Sequence, residues 1–168
     1  MGIRNSAKAL ILSDDGGKIL LNKNQNSLAD IWDEFPNGAI YYDLPGGGQN
    51  QYETLEEAVK RECLEELGLT LEVGKLAAIY EEISMNEDFR ERFGQYAHKI
   101  FFVFICRVAN EPAKPVTEQD MDMIGSEWIE IENIKNTLIY PAVIKTNFDL
   151  ILKTRNPLYL GSHRVDVK

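Results

Sequence analysis

Cysteine and histidine are scarce, with two of each in 168 residues. Cys63 and Cys106 show neither C-x-x-C spacing nor a metal-finger pattern, and each lies in an apolar-rich segment, which argues against a disulfide scaffold and a structural zinc site. They read as small core residues in a reducing compartment, so a cytoplasmic location is expected. Long apolar runs are absent as well: none approaches the ~18 residues of a membrane span. The run at residues 9–12 is too short for the hydrophobic region of a secretory signal, so neither membrane insertion nor export is expected. Residues 1–6 fit the loose M-G-x-x-x-S lipidation pattern, but such a match recurs by chance and a strand begins right after it. Positive charge is in deficit, 18 Lys and Arg against 27 Asp and Glu, for a net charge of -9. A surface of that sign repels phosphate backbones unless metal ions intervene, so DNA is not an expected partner.

What remains is ordinary globular composition, 44% hydrophobic and 27% charged. No internal repeat, low-complexity tract or Gly/Ser linker divides the chain, and its length suits one domain over residues 1–168. Residues 7–12 and 18–21 are β-type runs around Asp14-Asp15-Gly16-Gly17, a hairpin signal. Residues 22–41 are polar with Pro36 and Gly38 as breakers, which predicts a long loop. A short strand at 41–44 runs into Pro45-Gly46-Gly47-Gly48, and a helix begins near Thr54. Further strands are expected at 76–83, 99–108 and 127–131, the second apolar nearly throughout and hence central. Pro141 suits the first turn of a final helix whose Val143, Ile144, Phe148, Ile151 and Leu152 fall near helical spacing. Strands mixed with two main helices predict an α/β or α+β fold.

Thr54-Leu55-Glu56-Glu57 is a capping box, and Gly68 suits the left-handed position that ends a helix. Between them Leu55, Ala58, Val59, Cys63 and Leu67 form one apolar stripe. At 100° per residue, Glu62 and Glu66 point almost where Leu55 and Val59 point, with Glu65 at the edge. Two carboxylates ~6 Å apart at an effective dielectric of ~20 repel by roughly 3 kcal/mol, so a partly buried acidic face calls for a cation. Hard carboxylate oxygens suit Mg²⁺, Mn²⁺ or Ca²⁺. Arg61, four residues after Glu57 and four before Glu65, supplies a second positive group that can brace them. The glycine loop ahead of the helix leaves backbone groups open to a close-lying phosphate or metal.

Gly47, five residues, Glu53, seven residues, then Arg61-Glu62-Cys63-Leu64-Glu65-Glu66-Leu67-Gly68-Leu69 resembles the signature of the Nudix hydrolase superfamily, G-x5-E-x7-R-E-U-x-E-E-x-G-U with U a bulky apolar residue. All seven fixed positions match; at roughly 6–7% per residue type this arises by chance on the order of once in 10⁸ starts. Cys63 is smaller than the usual aliphatic at the first U. The order of strands around the signature is similar to a Nudix domain over about residues 4–153, and residues 154–168 form a tail outside the resemblance.

The resemblance implies an α/β/α sandwich with a mixed sheet, and hydrolysis of the diphosphate linkage in a nucleoside diphosphate joined to X, with Mg²⁺ or Mn²⁺ and water. Nucleoside triphosphates, ADP-ribose and nucleotide sugars are the substrate classes implied. Glu62, Glu65 and Glu66 carry over as metal-binding carboxylates, with the Gly46 carbonyl a further contact. Arg61 and Glu53 carry over as the brace between loop and helix. Catalytic weight falls on Arg61, Glu62, Glu65 and Glu66, and a glutamate of this run or a residue elsewhere serves as base. Glu118, Asp120 or Asp122 can add an acidic ligand. Beside Gly46 and Gly47, Lys23 and Tyr42 are candidate substrate contacts, with Arg4 a further phosphate contact and Trp32, Phe35 and Tyr41 further stacking surfaces. Glu81 and Glu82 alternate, so only one can face a cleft. His98 opens a strand and is assigned no role. The chain's expected partner is a small nucleotide derivative, and Leu158-Tyr159-Leu160 can support a homodimer. The competing functions are a sensor that binds such molecules without turnover, and an isopentenyl-diphosphate isomerase. The three intact glutamates argue against the first, and two cysteines in core positions against the second.

Overall fold

A computed structural model describes residues 2–27 and 35–165. Strands β1 (Arg4–Leu12) and β2 (Lys18–Gln25) pair antiparallel around a turn in which Asp15 accepts from Ser13 and from the Gly17 N–H. β2 runs on through Asn22, Lys23, Asn24 and Gln25, where the sequence predicts a loop. These are poor β formers, yet the sheet holds them from both edges, by β3 (Ile40–Asp43) on one and β6 (Met123–Glu130) on the other. Asn22 and Asn24 are buried because Glu66 and Asp43 accept their amide hydrogens. The aromatic candidate Trp32 lies outside the described residues.

Helix α1 (Leu55–Leu67) starts at the expected capping box: Thr54 accepts from the Glu57 N–H, and Glu57 accepts from the Thr54 N–H at 2.8 Å. It stops at Gly68, which adopts φ 68°, and a Cβ there would collide with the Lys114 carbonyl. β4 (Leu71–Ser84) begins earlier than the sequence suggests and pairs antiparallel with β5 (His98–Val108). A short helix α2 (Glu87–Arg92) and a 3-10 turn at Gly94–Tyr96 lie between these strands. β7 (Ile139–Tyr140), α3 (Ala142–Thr146), α4 (Phe148–Lys153) and β8 (Leu158–Val165) complete the chain.

The sheet order is β7-β3-β2-β1-β5-β4-β8, with β6 paired to β2 outside this path. It is mixed, parallel at β1/β5, β3/β7 and β4/β8. Period-two alternation sends side chains of each strand to two faces. One face carries Ala7, Ala9, Ile11, Leu20, Phe104 and Cys106, packed under Ala58, Val59 and Cys63 of α1. The other carries Leu10, Ile19, Leu21 and Val103, covered by Ile134, Ile144, Phe148 and Ile151. Helices therefore lie on both faces of an α+β fold. Both cysteines are buried and free, as expected of core residues.

One expectation needs correction. The final helix is two: Asn147, at φ −106° and ψ 13°, separates α3 from α4, although Ile144, Phe148 and Ile151 are buried as the spacing predicts. The tail, expected only to lie outside the resemblance, contributes β8, which extends the sheet along β4, with Ile79 opposite Tyr159 and Glu82 opposite His163. Leu158 and Leu160, expected to be able to support a dimer, pack against the core, and only Tyr159 between them is exposed.

Candidate active site

β1 is edged by β2 only at Ile11 and Leu12. Over the rest of its length the glycine loop takes the neighbouring position: Ala9 N–H donates to the Pro45 carbonyl at 2.8 Å, Ala7 N–H to Gly47 at 2.9 Å, and Gln49 N–H to Asn5 at 3.0 Å. The loop is thus an irregular strand laid beside β1. Gly46 sits at φ 111°, and a Cβ there would collide with the Ala7 carbonyl. A Cβ on Gly47 would collide with the Glu62 carboxylate. These two glycines permit the loop to close on β1 and on α1 together.

Arg61 locks loop to helix. Its Nε and Nη2 grip Glu53 at 2.8 and 3.0 Å, and Nη2 also donates to the Gly48 carbonyl at 2.8 Å. Nη1 bridges Glu62 and Glu65 at 2.8 and 3.0 Å. The guanidinium holds the Glu53 carboxyl below its ordinary range. Glu53 in turn, ahead of Glu62, raises the arginine further.

Glu66 is 4% exposed and its Oε2 accepts from the Gly46 N–H and from Asn22 Nδ2, both at 3.0 Å. Burial pushes its carboxyl up to about 7 against the opposing pull of Lys8 and these two donors. Lys8, which the sequence reading does not single out, donates to the Gly46 carbonyl and lies 3.8 Å from Asp43. Burial alone would lower its ammonium, but the fields of Asp43, Glu66 and Asp120 outweigh that and raise it. The signal in the sequence was a lone lysine among the apolar residues of β1.

The acidic glutamates are therefore brought to one end of one helix but directed to different partners. Among the described residues no three acidic, histidine or cysteine side chains converge as a ready metal cage. Glu62, Gly46 and Gly47 line a cleft of about 170 Å³ whose floor is one face of two paired strands, Arg4, Ser6 and Lys8 of β1 beside Lys99, Phe101 and Val103 of β5. Glu66 lies behind Gly46, and Glu65 stands at the helix edge with Arg61. An outer lobe of about 350 Å³ adjoins, lined by Tyr41, Phe89, Phe93, Tyr96 and Met121, and the two lobes share Asp43, Tyr96, Lys99, Asp120 and Tyr140.

The segment before β6 is tied to α1, since Thr117 and Glu118 N–H groups donate to the Glu65 carbonyl at 2.9 and 3.2 Å. Of its three acids, Asp120 lines both lobes, Asp122 lines the outer lobe while accepting from Ser27 and Tyr41, and Glu118 lines neither. Lys23 and Tyr42 do not line either lobe. Both bind Glu127, at 2.8 and 3.0 Å. Alternation along β3 gives the reason: Tyr41 faces the cleft, stacked on Phe35 with ring centroids 5.0 Å apart, and Tyr42 faces away. His98 pairs with Glu81 at 2.8 Å.

The family model for the NUDIX domain matches residues 3–146. A Caenorhabditis elegans protein named "Putative nudix hydrolase 1" is 29% identical over 132 residues, which is 77% of this chain and 29% of that protein. The chain thus spans under a third of that relative's length. Among solved structures, a NUDIX hydrolase from Nitrosomonas europaea superposes with a TM-score of 0.64 at 23% identity, covering 96% of this chain and 100% of its own. An ADP-ribose pyrophosphatase from Streptococcus suis superposes with a TM-score of 0.58 at 18% identity, covering 94% and 98%. With the signature spanning glycine loop and acidic helix, and the family match reaching from β1 into α3, the chain belongs to the Nudix hydrolase family.

Proposed function

We propose that this chain is a divalent-metal-dependent pyrophosphohydrolase acting on a nucleoside diphosphate linked to X, in the nucleoside triphosphate, ADP-ribose or nucleotide-sugar class. The observation that carries the reading is the contact between loop and helix: Glu62 lies against the bare backbone of Gly47 inside the cleft, held there by Arg61. The description of the S. suis neighbour as an ADP-ribose pyrophosphatase supports the reaction class.

The donors fit Mg²⁺ or Mn²⁺ in kind. Glu62, Glu65, Glu66 and the Gly46 carbonyl are hard oxygens, and no histidine or cysteine sulfur stands among them to favour zinc. The missing Cβ of Gly47 leaves the Glu62 carboxylate room beside the backbone. Such an ion, when bound, neutralises the diphosphate and makes a bound water acidic enough to supply hydroxide near neutral pH. The residues of the chain supply position and proton handling. Arg61 fixes the loop against the helix, the Gly46 N–H and Asn22 orient the Glu66 carboxylate, and a carboxylate not consumed as a ligand, whether one of Glu62, Glu65 and Glu66 or a residue elsewhere, accepts the proton of the attacking water. The water adds across one P–O–P linkage and gives two phosphate monoesters, or one and inorganic phosphate or pyrophosphate.

The expected substrate is a small molecule: a chain of net charge -9 as a whole repels a phosphate backbone. Among the described residues no helix is long and apolar enough to cross a membrane. The reading places the enzyme in the cytoplasm, where such substrates and reduced thiols occur together.

The test is release of phosphate, pyrophosphate or nucleoside monophosphate from nucleoside triphosphates, ADP-ribose, nucleotide sugars, dinucleoside polyphosphates and dinucleotide cofactors with Mg²⁺ or Mn²⁺, wild type beside Glu66→Gln. Metal-dependent turnover of one class, lost in a folded Glu66→Gln, is expected. Absence of turnover with ligand binding intact by calorimetry would move the chain to the sensor reading.

A further inference from the structure

Arg4 on β1 stands in register with Lys99 on parallel β5, and Lys99 with Glu82 on antiparallel β4. Two cations and one anion thus lie side by side across three strands. Like charges directly opposite on neighbouring strands destabilise a sheet, and Glu82 compensates only one of them. It is 3% exposed, with Oε1 3.0 Å from Lys99 Nζ and Oε2 accepting from the Tyr140 hydroxyl. Lys99 Nζ lies 5.2 and 5.9 Å from the ring centres of Phe101 and Tyr140. Arg4 rests on the Tyr96 ring at 4.9 Å rather than on a carboxylate of the described residues, and its guanidinium fills the space a Cβ on Gly48 would need. Both cations line the inner lobe that holds Gly47 and Glu62.

Taking two charges out of water costs desolvation that their mutual attraction can fail to return, so the Glu82–Lys99 pair is a costly way to build a strand pair. Its effect is to hold the Lys99 ammonium still at the cleft wall. Arg4, Lys99 and Glu82 together carry one positive charge in excess; Lys8 adds a cation to the same lobe and Asp43, Glu62 and Asp120 line it as anions, in a chain that is strongly negative as a whole. We propose that Arg4 and Lys99 form an anion subsite that takes a phosphoryl group of the substrate, with Glu82 and Tyr140 as positioning residues. That the phosphoryl group belongs to a diphosphate substrate rests on the hydrolase reading. The subsite itself is testable without turnover.

The probe is inorganic pyrophosphate, titrated calorimetrically into the full chain in the presence of EDTA at two salt concentrations. Lys99→Met combined with Glu82→Gln removes one charge of each sign, so the net charge is unchanged and no buried charge is orphaned; the amide oxygen introduced in place of the carboxylate can still accept from Tyr140. Arg4→Gln tests the other cation without disturbing the pair, and Lys99→Arg is the conservative variant. Loss of a charge-assisted contact should weaken pyrophosphate about tenfold or more in the double variant and in Arg4→Gln, while Lys99→Arg stays within about threefold of wild type. Binding by wild type should weaken with salt. Pyrophosphate bound equally well by wild type and by the folded double variant and Arg4→Gln overturns the proposal, as does a wild type that binds none. Failure of the hydrolase reading would appear separately, as an inactive wild type in the metal-supplemented substrate panel with this binding pattern intact.

Discussion

Gly46→Ala isolates what the contact between the glycine loop and β1 is worth. At φ 111° an L side chain is strained, and the added methyl would also collide with the Ala7 carbonyl. The conformational part costs about 1 to 2 kcal/mol. The collision adds more, because relief requires the loop to lift from β1 and loosens the bonds from Ala7 N–H to Gly47, from Ala9 N–H to Pro45, and from Gly46 N–H to Glu66. Each net hydrogen bond is worth about 0.5 to 1.5 kcal/mol, so the full effect is roughly 3 to 6 kcal/mol of a total that is about 5 to 15 for a domain. Gly16→Ala supplies the control: Gly16 has φ 73°, but a methyl added there would meet nothing within 4 Å. It should lose only the conformational part, about 1 kcal/mol. Urea unfolding of both variants beside wild type gives the difference, with turnover measured on the folded fraction. If the two alanines cost the same and Gly46→Ala retains activity, close approach to β1 is not what holds the loop in its working place.

Arg61→Lys keeps the charge but cannot hold Glu53, the Gly48 carbonyl and the Glu62–Glu65 pair at once; turnover should fall by more than about tenfold with a stability loss of about 1 to 2 kcal/mol, read from kinetics and urea unfolding together. A chain ending at Arg155 loses β8 and exposes the outer edge of β4 along with the surface beneath Leu158 and Leu160. It should melt several degrees lower and aggregate, and unchanged melting would mean that residues 158–165 add nothing to the stability of the sheet. Burial pushes the thiols of Cys63 and Cys106 up, the latter to about 12. A thiol reagent at about pH 8 should therefore leave both unlabelled in the native chain and label both in denaturant, whereas rapid native labelling would contradict their burial between α1 and the sheet.

The acidic helix was legible in the sequence because its determinants are local. Thr54, Glu57 and Gly68 cap it within a turn of its ends, and 3.6-residue periodicity alone turns Val59 and Cys63 inward together with Glu62 and Glu66. The family signature adds the loop, since Gly47 and Glu53 are at fixed distances from Arg61 along the chain. Strands β1 and β5 were visible for a similar reason, in runs of apolar residues whose burial on both faces makes their composition uniform.

Where the local signal and the tertiary one disagreed, the tertiary one decided. Asn22 to Gln25 has no preference for a strand, but hydrogen bonding along both edges of β2 and acceptors for two buried amides make it one. Tyr41 and Tyr42 are adjacent and chemically alike, and only the direction of the β3 pleat separates the one in the cleft from the one on Glu127. Lys8, Lys99 and Glu82 carry no motif; their importance arises from strand register, which brings residues from distant parts of the chain face to face. The sequence by itself determined the chemistry of the helix and loop, because capping, periodicity and glycine geometry act over a few residues. The cleft that Gly46, Gly47 and Glu62 line, and the cations across it, were decided only by the sheet, because register and the choice of face are properties of paired strands and belong to no single segment.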